Sequence, residues 1–275
     1  FDADNILTTL EYAVEHGFRE DGIPFEQRKE IIGDLADVLK ERLFDLPIDQ
    51  WGSVFGVIGE ALETKQLVFY STDPMINEVI ARKDWAGRVF PGDADTLMVV
   101  DANMASLKTD PAVERTISYS ISQDASDRWV AKVDITYDHQ GSFDWKTSRY
   151  RTYTRVYVPL GSELISSSGH LTNDKLKNPN LDPGTVDVGE ELGLTTFGTF
   201  TSVEPGESQV LSFEYYLPEV ASAAIIQGIY QLDLIKQIGA ADYNLELNLD
   251  FDKKVRSAYP GEEPDQFGDQ VYQLN

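Results

Sequence analysis

The feature that most constrains the fold of this chain is a change in the spacing of its apolar residues near residue 90. Before that point they recur every three to four positions, as on one face of a helix. After it they alternate with polar residues, as in a strand with one buried face. We therefore expect an α+β chain, with a helical domain over residues 1–90 and a β domain after it.

Four helices are predicted in the first part. The clearest begins at Pro24 and breaks at Pro47, because proline suits a first helical turn and interrupts a helix interior. Residues 1–16 form another, capped by Asp2 or Asp4, and a third follows Asp49. The fourth opens with Asp73 as N-cap and Pro74 as first residue. The apolar stripe of the Pro24 helix comprises Ile31, Ile32, Leu35, Val38, Leu39 and Leu43.

The second part has strands with one apolar face and one polar face, which is typical of antiparallel sheets. We predict an antiparallel β-sandwich of immunoglobulin or fibronectin type over residues 91–258. A linker at 88–95, an exposed polar loop at 166–193 and an acidic tail at 259–275 complete the chain. The predicted strands cover residues 97–100, 113–121, 129–137, 150–158, 211–217 and 243–251.

The net charge of the chain limits the classes of partner that it is expected to bind. With 47 acidic and 23 basic residues, the net charge of −24 repels phosphate backbones, so we expect no nucleic-acid partner. The acidic surface could attract divalent cations or basic partners. There is no cysteine, which excludes disulfides and cysteine zinc sites. Since no Met or signal peptide begins the chain, we expect Phe1 to start a processed or truncated fragment, with any membrane anchor upstream.

No familiar catalytic motif is present. The chain lacks a G-x-S-x-G elbow, a P-loop and a G-x-G-x-x-G fingerprint, and its three histidines lie in unrelated segments. We expect no cofactor, but a Ca²⁺ or Mg²⁺ held by Asp101, Asn103 and a distant carboxylate stays open as a candidate metal site. The alternative is that Asp101 and Asn103 bond the backbone of a turn.

Two arginines near the start are candidate phosphate ligands. Arg19 and Arg28 flank the turn at Gly22 to Pro24, and free N–H groups at a helix start together with a guanidinium suit phosphate. The alternative is that both are ordinary surface charges.

Several motifs together resemble one bacterial family, the domain of unknown function 4012. The similar segments cover nearly the whole chain in the family's order. They read ADNILTTLEYAVEHGF with EQRKEIIGDLADVL, LVFYSTDPMINEVIARKDWAGRV, MVVDANMASLKTD, YRTYTRVYVPLGSELISSSG, FGTFTSVEPGESQVLSFEYYLP and YQLDLIKQIG.

The resemblance implies a membrane-anchored precursor exposed on the bacterial cell surface, with residues 1–90 as the end of a larger domain that begins upstream of Phe1. The N-terminal part of such proteins is also distantly similar to the LytR-CpsA-Psr enzymes, which transfer polymers from pyrophosphate-linked lipid carriers to the cell wall. By that similarity the region of Arg19 and Arg28 corresponds to an arginine-bearing helix that binds pyrophosphate.

We therefore predict an extracytoplasmic cell-surface module with a structural, adhesion or binding role and no catalytic site of its own. Its expected partners are cell-envelope components or other surface proteins, with membrane contact only through an upstream anchor. The alternative is part of a LytR-CpsA-Psr-like polymer-transferring enzyme with Arg19 and Arg28 as phosphate ligands.

Overall fold

The computed structural model describes residues 5–89, 92 and 94–274, and it is an α+β structure. The expected caps Asp2 and Asp4, and residues 90, 91 and 93 of the expected linker, lie outside the described residues. The helices are α1 (Ile6–Tyr12), α2 (Phe18–Glu20), α3 (Glu30–Phe44), α4 (Trp51–Glu63), α5 (Pro74–Arg82) and α6 (Glu219–Gln227). The strands are β1 (Asp95–Asn103), β2 (Val113–Gln123), β3 (Trp129–His139), β4 (Tyr150–Val158), β5 (Glu163–Ser168), β6 (Asp187–Glu191), β7 (Leu194–Val203), β8 (Ser208–Tyr216), β9 (Leu232–Ile235), β10 (Asn244–Asp250) and β11 (Val271–Leu274).

The chain divides into two units, one through Ala61 and one from Leu62 onward. In the first, helix α3 has the expected apolar stripe, but none of its residues is buried. The predicted Pro24 helix thus begins later, at Glu30, after a short 3-10 turn. Among the described residues, no helix combines the length and hydropathy needed to cross a bilayer.

Helix α5 in the second unit starts as the sequence predicts. The Asp73 carboxylate accepts hydrogen bonds from the backbone N–H groups of Met75 and Ile76, and Pro74 occupies the first turn. These bonds satisfy two of the N–H groups that a helix start leaves free.

The strands form two mixed sheets, so the predicted all-antiparallel arrangement is wrong. The five-stranded sheet has the order β6-β7-β4-β1-β9, and the six-stranded sheet has the order β11-β10-β2-β3-β8-β5. Strand β9 runs parallel to β1, and β10 runs parallel to β2. Alternating burial reports that a strand has one buried face, but it does not report the direction of its neighbour. Strand direction is decided by the connections, which the pattern does not encode.

One hydrophobic core takes side chains from both sheets. The ring centroid of Phe197 on β7 lies 6.0 Å from that of Phe213 and 5.5 Å from that of Tyr215, both on β8 of the other sheet. Strand β3 shows the predicted alternation, since Val133, Ile135 and other alternate residues are fully buried. The central strands therefore supply most of the buried side chains of the core that the two sheets share.

Two segments predicted as irregular contain strands. Part of the expected 166–193 loop is β6, which pairs with β7, and part of the expected 259–275 tail is β11, which pairs with β10. All five residues of β6 are exposed. An edge strand with no buried face carries no alternation of apolar residues, so the sequence pattern gave no signal for it.

Candidate functional site

A cleft of about 840 Å³ opens at one side of the core, between the short edge strand β9 of one sheet and strands β10 and β11 of the other. Leu232 and Leu234 line it from β9, in register with Asp95 and Leu97 of β1. Leu234 remains 38% exposed although its register partner Leu97 is buried. The opposite wall and floor are apolar as well: Leu245, Leu247, Leu249, Phe251, Tyr272 and Leu274.

Strand length explains why the core is open at this side. Strands β9 and β11 have four residues each, whereas β2 and β3 have eleven. Successive residues of a strand point to opposite faces, so a four-residue strand contributes only about two side chains to the core. The long central strands supply the interior of the core, and the short strands at the edge leave the cleft unfilled by protein side chains.

The mouth of the cleft is basic in an otherwise acidic protein. Lys253, Lys254 and Arg256 follow β10 and line the cleft, and all three are exposed. Lys253 Nζ also donates to the carbonyl oxygen of Ile226 near the end of α6, at 3.2 Å. Among the described residues that line the cleft there is no Asp or Glu. The charge of the described lining residues is therefore opposite in sign to the net charge of the chain.

A buried carboxyl group is joined to the cleft through Tyr230. The Tyr230 ring lines the cleft, and its centroid lies 5.2 Å from that of the Phe251 ring. The Tyr230 hydroxyl donates to Asp95 Oδ2 at 2.7 Å. The Tyr119 hydroxyl donates to the same oxygen at 2.6 Å. Asp95 Oδ1 is buried without a hydrogen-bond partner in the described part of the chain. A buried carboxylate that is satisfied at only one oxygen is held at an energetic cost.

The pKa of Asp95 reflects this environment. Burial raises it to about 6, although the hydrogen bonds from Tyr119 and Tyr230 oppose the rise, and nearby Asp233 adds to it. Desolvation disfavours the charged form, while donors to a carboxylate favour it. Because the group is fully buried, desolvation dominates.

We expect the stability of the protein to depend on pH through Asp95. An unfolded Asp titrates near roughly 3.9, so between that value and the folded pKa of about 6 the native state holds a proton that the unfolded state has lost. Wild-type stability therefore falls as pH rises through this window. Relative to wild type, Asp95→Asn should gain about 2 kcal/mol in unfolding free energy between pH 4.5 and 7.5.

Urea unfolding of wild type and Asp95→Asn across this pH range measures the effect. The difference in unfolding free energy between the two proteins cancels the contributions of the other titrating groups. A difference that stays constant with pH would show that Asp95 does not carry this dependence.

Asp101, one of the two predicted metal-site residues, lies in a buried ion-pair network. Its Oδ2 accepts from Arg115 Nε at 2.9 Å, and its Oδ1 accepts from Tyr137 at 2.7 Å and Thr154 at 2.7 Å. The Arg115 guanidinium also donates to Tyr150 Oη at 2.6 Å and to Asp110. Both carboxylate oxygens of Asp101 are thus engaged by protein donors from strands of both sheets.

Asn103, the second predicted metal-site residue, closes a turn after β1. Its Oδ1 accepts from Ser106 N at 2.8 Å and its Nδ2 donates to Leu107 O at 3.2 Å. This is the backbone-bonding role that the sequence offered as the alternative. Residues 5–89, 92 and 94–274 contain no group of three or more His, Cys, Asp or Glu side chains placed to hold a metal ion. The Ca²⁺ or Mg²⁺ expectation stays a prediction.

The two predicted phosphate ligands lie beside aromatic rings. The Arg28 guanidinium stacks 3.7 Å from the ring centroid of Phe25, and its Nη1 donates to the Phe25 carbonyl at 3.0 Å. Arg19, in α2, lies 5.1 Å from the ring centroid of Phe18. Arg28 precedes α3, whose N-cap is Lys29, rather than lying in its first turn. Phosphate binding by either arginine stays a prediction.

The residues of the cleft were not singled out from the sequence. Leu245, Leu247 and Leu249 read as ordinary inward-facing strand residues, because periodicity does not distinguish a packed core from an open one. One available signal was the Lys253 to Arg256 segment, which carries three positive charges within four positions of an acidic chain.

Comparison with known proteins gives no family. No family model matches the chain, and no curated protein does. Among solved structures, a two-domain M1 zinc metallopeptidase variant bound to L-tryptophan aligns with 42% of this chain and 21% of its own, at 12% identity and a TM-score of 0.19. The M1 zinc metallopeptidase from Deinococcus radiodurans aligns with 54% of this chain and 32% of its own, at 12% identity and a TM-score of 0.22. The aligned region thus spans a third or less of either peptidase.

This comparison contradicts the function predicted from the sequence. The prediction was a non-catalytic cell-surface module, with part of a polymer-transferring enzyme as its alternative, whereas the similar structures are zinc metallopeptidases. That prediction is therefore wrong by this comparison. At 12% identity and TM-scores of 0.19 and 0.22, the two peptidases assign no activity to this chain. A function for this chain is inferred from the residues of the cleft.

Proposed function

We propose that the protein binds an elongated apolar ligand in the cleft between β9 and strands β10 and β11. The observation that carries the proposal is an opening of about 840 Å³ lined by apolar side chains that belong to the inner faces of both sheets. Small-molecule sites typically enclose about 300–1,000 Å³ and are lined mainly by apolar side chains with a few polar groups. The cleft meets each of these conditions.

Partial exposure of the lining supplies the driving force. Leu234, Leu245 and Tyr230 line the cleft without being fully buried. A ligand that covered them would remove apolar area from water at about 25 cal/mol per Å². The hydroxyl of Ser257 and the side-chain amide of Gln231 supply polar groups at the wall. An elongated apolar molecule fits this distribution better than a polar one.

The test is titration with the neutral apolar fluorophore N-phenyl-1-naphthylamine. We expect saturable binding at one site and an affinity at least about tenfold weaker in Leu234→Trp, because the larger side chain occupies the space. Leu234 is partly exposed, so we expect the variant to fold.

The matched control is Leu160→Trp. Leu160 is an exposed leucine of the same unit that does not line the cleft, and this variant should bind the fluorophore like wild type. Non-saturable binding by the wild type, or equal affinity in both variants, would refute a ligand site in the cleft.

We also propose that the chain is a member of the domain of unknown function 4012 family, on the strength of the segments quoted above. An extracytoplasmic location and partners in the cell envelope remain predictions that go with this assignment. The coding sequence upstream of Phe1 tests it, since the family resemblance requires a transmembrane segment there.

The two sheets share one hydrophobic core. We propose that the two sheets constitute a β-sandwich, supported by the core that they share and by the contacts of Phe197 with Phe213 and Tyr215. The immunoglobulin or fibronectin type remains a prediction. An experimental structure of this chain would test both statements.

A further inference from the structure

We infer that the ligand of the cleft is an amphiphile with an anionic head, a long hydrocarbon chain that ends in a carboxylate or phosphate group. This inference rests on the proposed function, and it concerns the chemical class of the ligand. The chain would lie along the leucines between the two sheets, and the head would lie at the mouth beside Lys254 and Arg256.

The charge of the lining is the first argument. The whole chain has about twice as many acidic as basic residues, 47 against 23. The cleft reverses this ratio, with three basic residues and, among the described lining residues, no acidic one. A random part of this surface would be acidic. A low-dielectric cleft with basic residues at its mouth concentrates anions there.

The position of the basic residues is the second argument. Lys253, Lys254 and Arg256 all lie in the segment that connects β10 to β11, line the cleft and are exposed to solvent. Lys253 already bonds the carbonyl oxygen of Ile226. Lys254 and Arg256 form no ion pair in the described part of the chain, so their charges are available to a ligand.

The separation of apolar wall and basic mouth is the third argument. A free anion would gain nothing from the apolar wall, and an uncharged hydrocarbon would gain nothing from the basic mouth. Charge-assisted hydrogen bonds to carboxylate or phosphate are stronger than neutral ones, and guanidinium suits both groups. One molecule with both chemistries uses the entire cleft.

The test compares four probes that share one hydrocarbon chain: hexadecanoic acid, hexadecyl phosphate, hexadecanol and hexadecylamine. Each displaces N-phenyl-1-naphthylamine from the wild-type protein below its micelle-forming concentration. We expect the acid or the phosphate to bind about tenfold more tightly than the alcohol, and the amine to bind no better than the alcohol. The stronger of the acid and the phosphate identifies the head group. The preference should shrink with added salt, because exposed charges are screened.

The double variant Lys254→Gln with Arg256→Gln should lose the preference for the anionic probes while it still binds hexadecanol. A control with the same net charge, Lys132→Gln with Lys175→Gln, alters two exposed lysines away from the cleft and should keep the preference.

The outcomes separate the two proposals. Equal binding of acid, phosphate and alcohol, tighter binding of the amine, or an unchanged preference in the double variant would overturn the anionic head and leave the apolar site standing. Failure of every probe, the neutral fluorophore included, would overturn the apolar site and this inference with it.

Discussion

Replacing Asp101 by alanine should destabilise the protein by about 3–5 kcal/mol, which is the range for breaking a buried ion pair by removing one partner. The side chains of Asp101 and Arg115 are 6% and 12% exposed. Without the carboxylate, Arg115 keeps Asp110, whose side chain is 47% exposed, and Tyr150 as partners. The hydroxyls of Tyr137 and Thr154 lose an acceptor in the core.

Urea unfolding followed by near-ultraviolet circular dichroism measures this loss. The matched control is Asp134→Ala, which removes a carboxylate from the more exposed pair with Lys132. Such surface pairs contribute about 0–1 kcal/mol. If the two substitutions gave similar losses, the buried pair of Asp101 and Arg115 would contribute no more to stability than an exposed pair.

Replacing Phe197 by alanine should cost about 3–5 kcal/mol, the range for truncating a buried aromatic side chain. Phe197 is fully buried, and its ring meets Phe213 and Tyr215 across the interface between the sheets. The truncation leaves a cavity that the long strands β7 and β8 cannot close by a local shift, because both are fixed by ladders on each side.

Thermal or urea unfolding of this variant should be compared with Phe267→Ala. Phe267 is an exposed phenylalanine in the segment before β11, so its truncation should change stability by about 0.5 kcal/mol or less. Equal effects of the two substitutions would mean that the contacts of Phe197 with Phe213 and Tyr215 do not stabilise the core.

Local chemistry was readable from particular residues. The alternation in β3 specified which of its side chains are buried, and Asp73-Pro74 specified where α5 begins. Both signals depend on positions a few residues apart, and the physical rule is the same in any protein. The Asp101 network was not readable, because its partners Arg115, Tyr137, Tyr150 and Thr154 come from three different strands. Nothing in the sequence sets the distance between those strands.

The sequence by itself determined the change from helices to strands near residue 90, the buried faces of β2, β3 and β8, and the acidity of the chain, but it did not predict helix α6 or strand β7. The features that it determined follow from backbone geometry and composition. The tertiary structure alone decided that β9 runs parallel to β1 and β10 parallel to β2, and that β9 and β11 end before they fill the core. It also decided that three basic side chains lie at the opening that results. Strand direction and an unfilled volume depend on how distant segments pack, and hydrophobic periodicity carries no information about either.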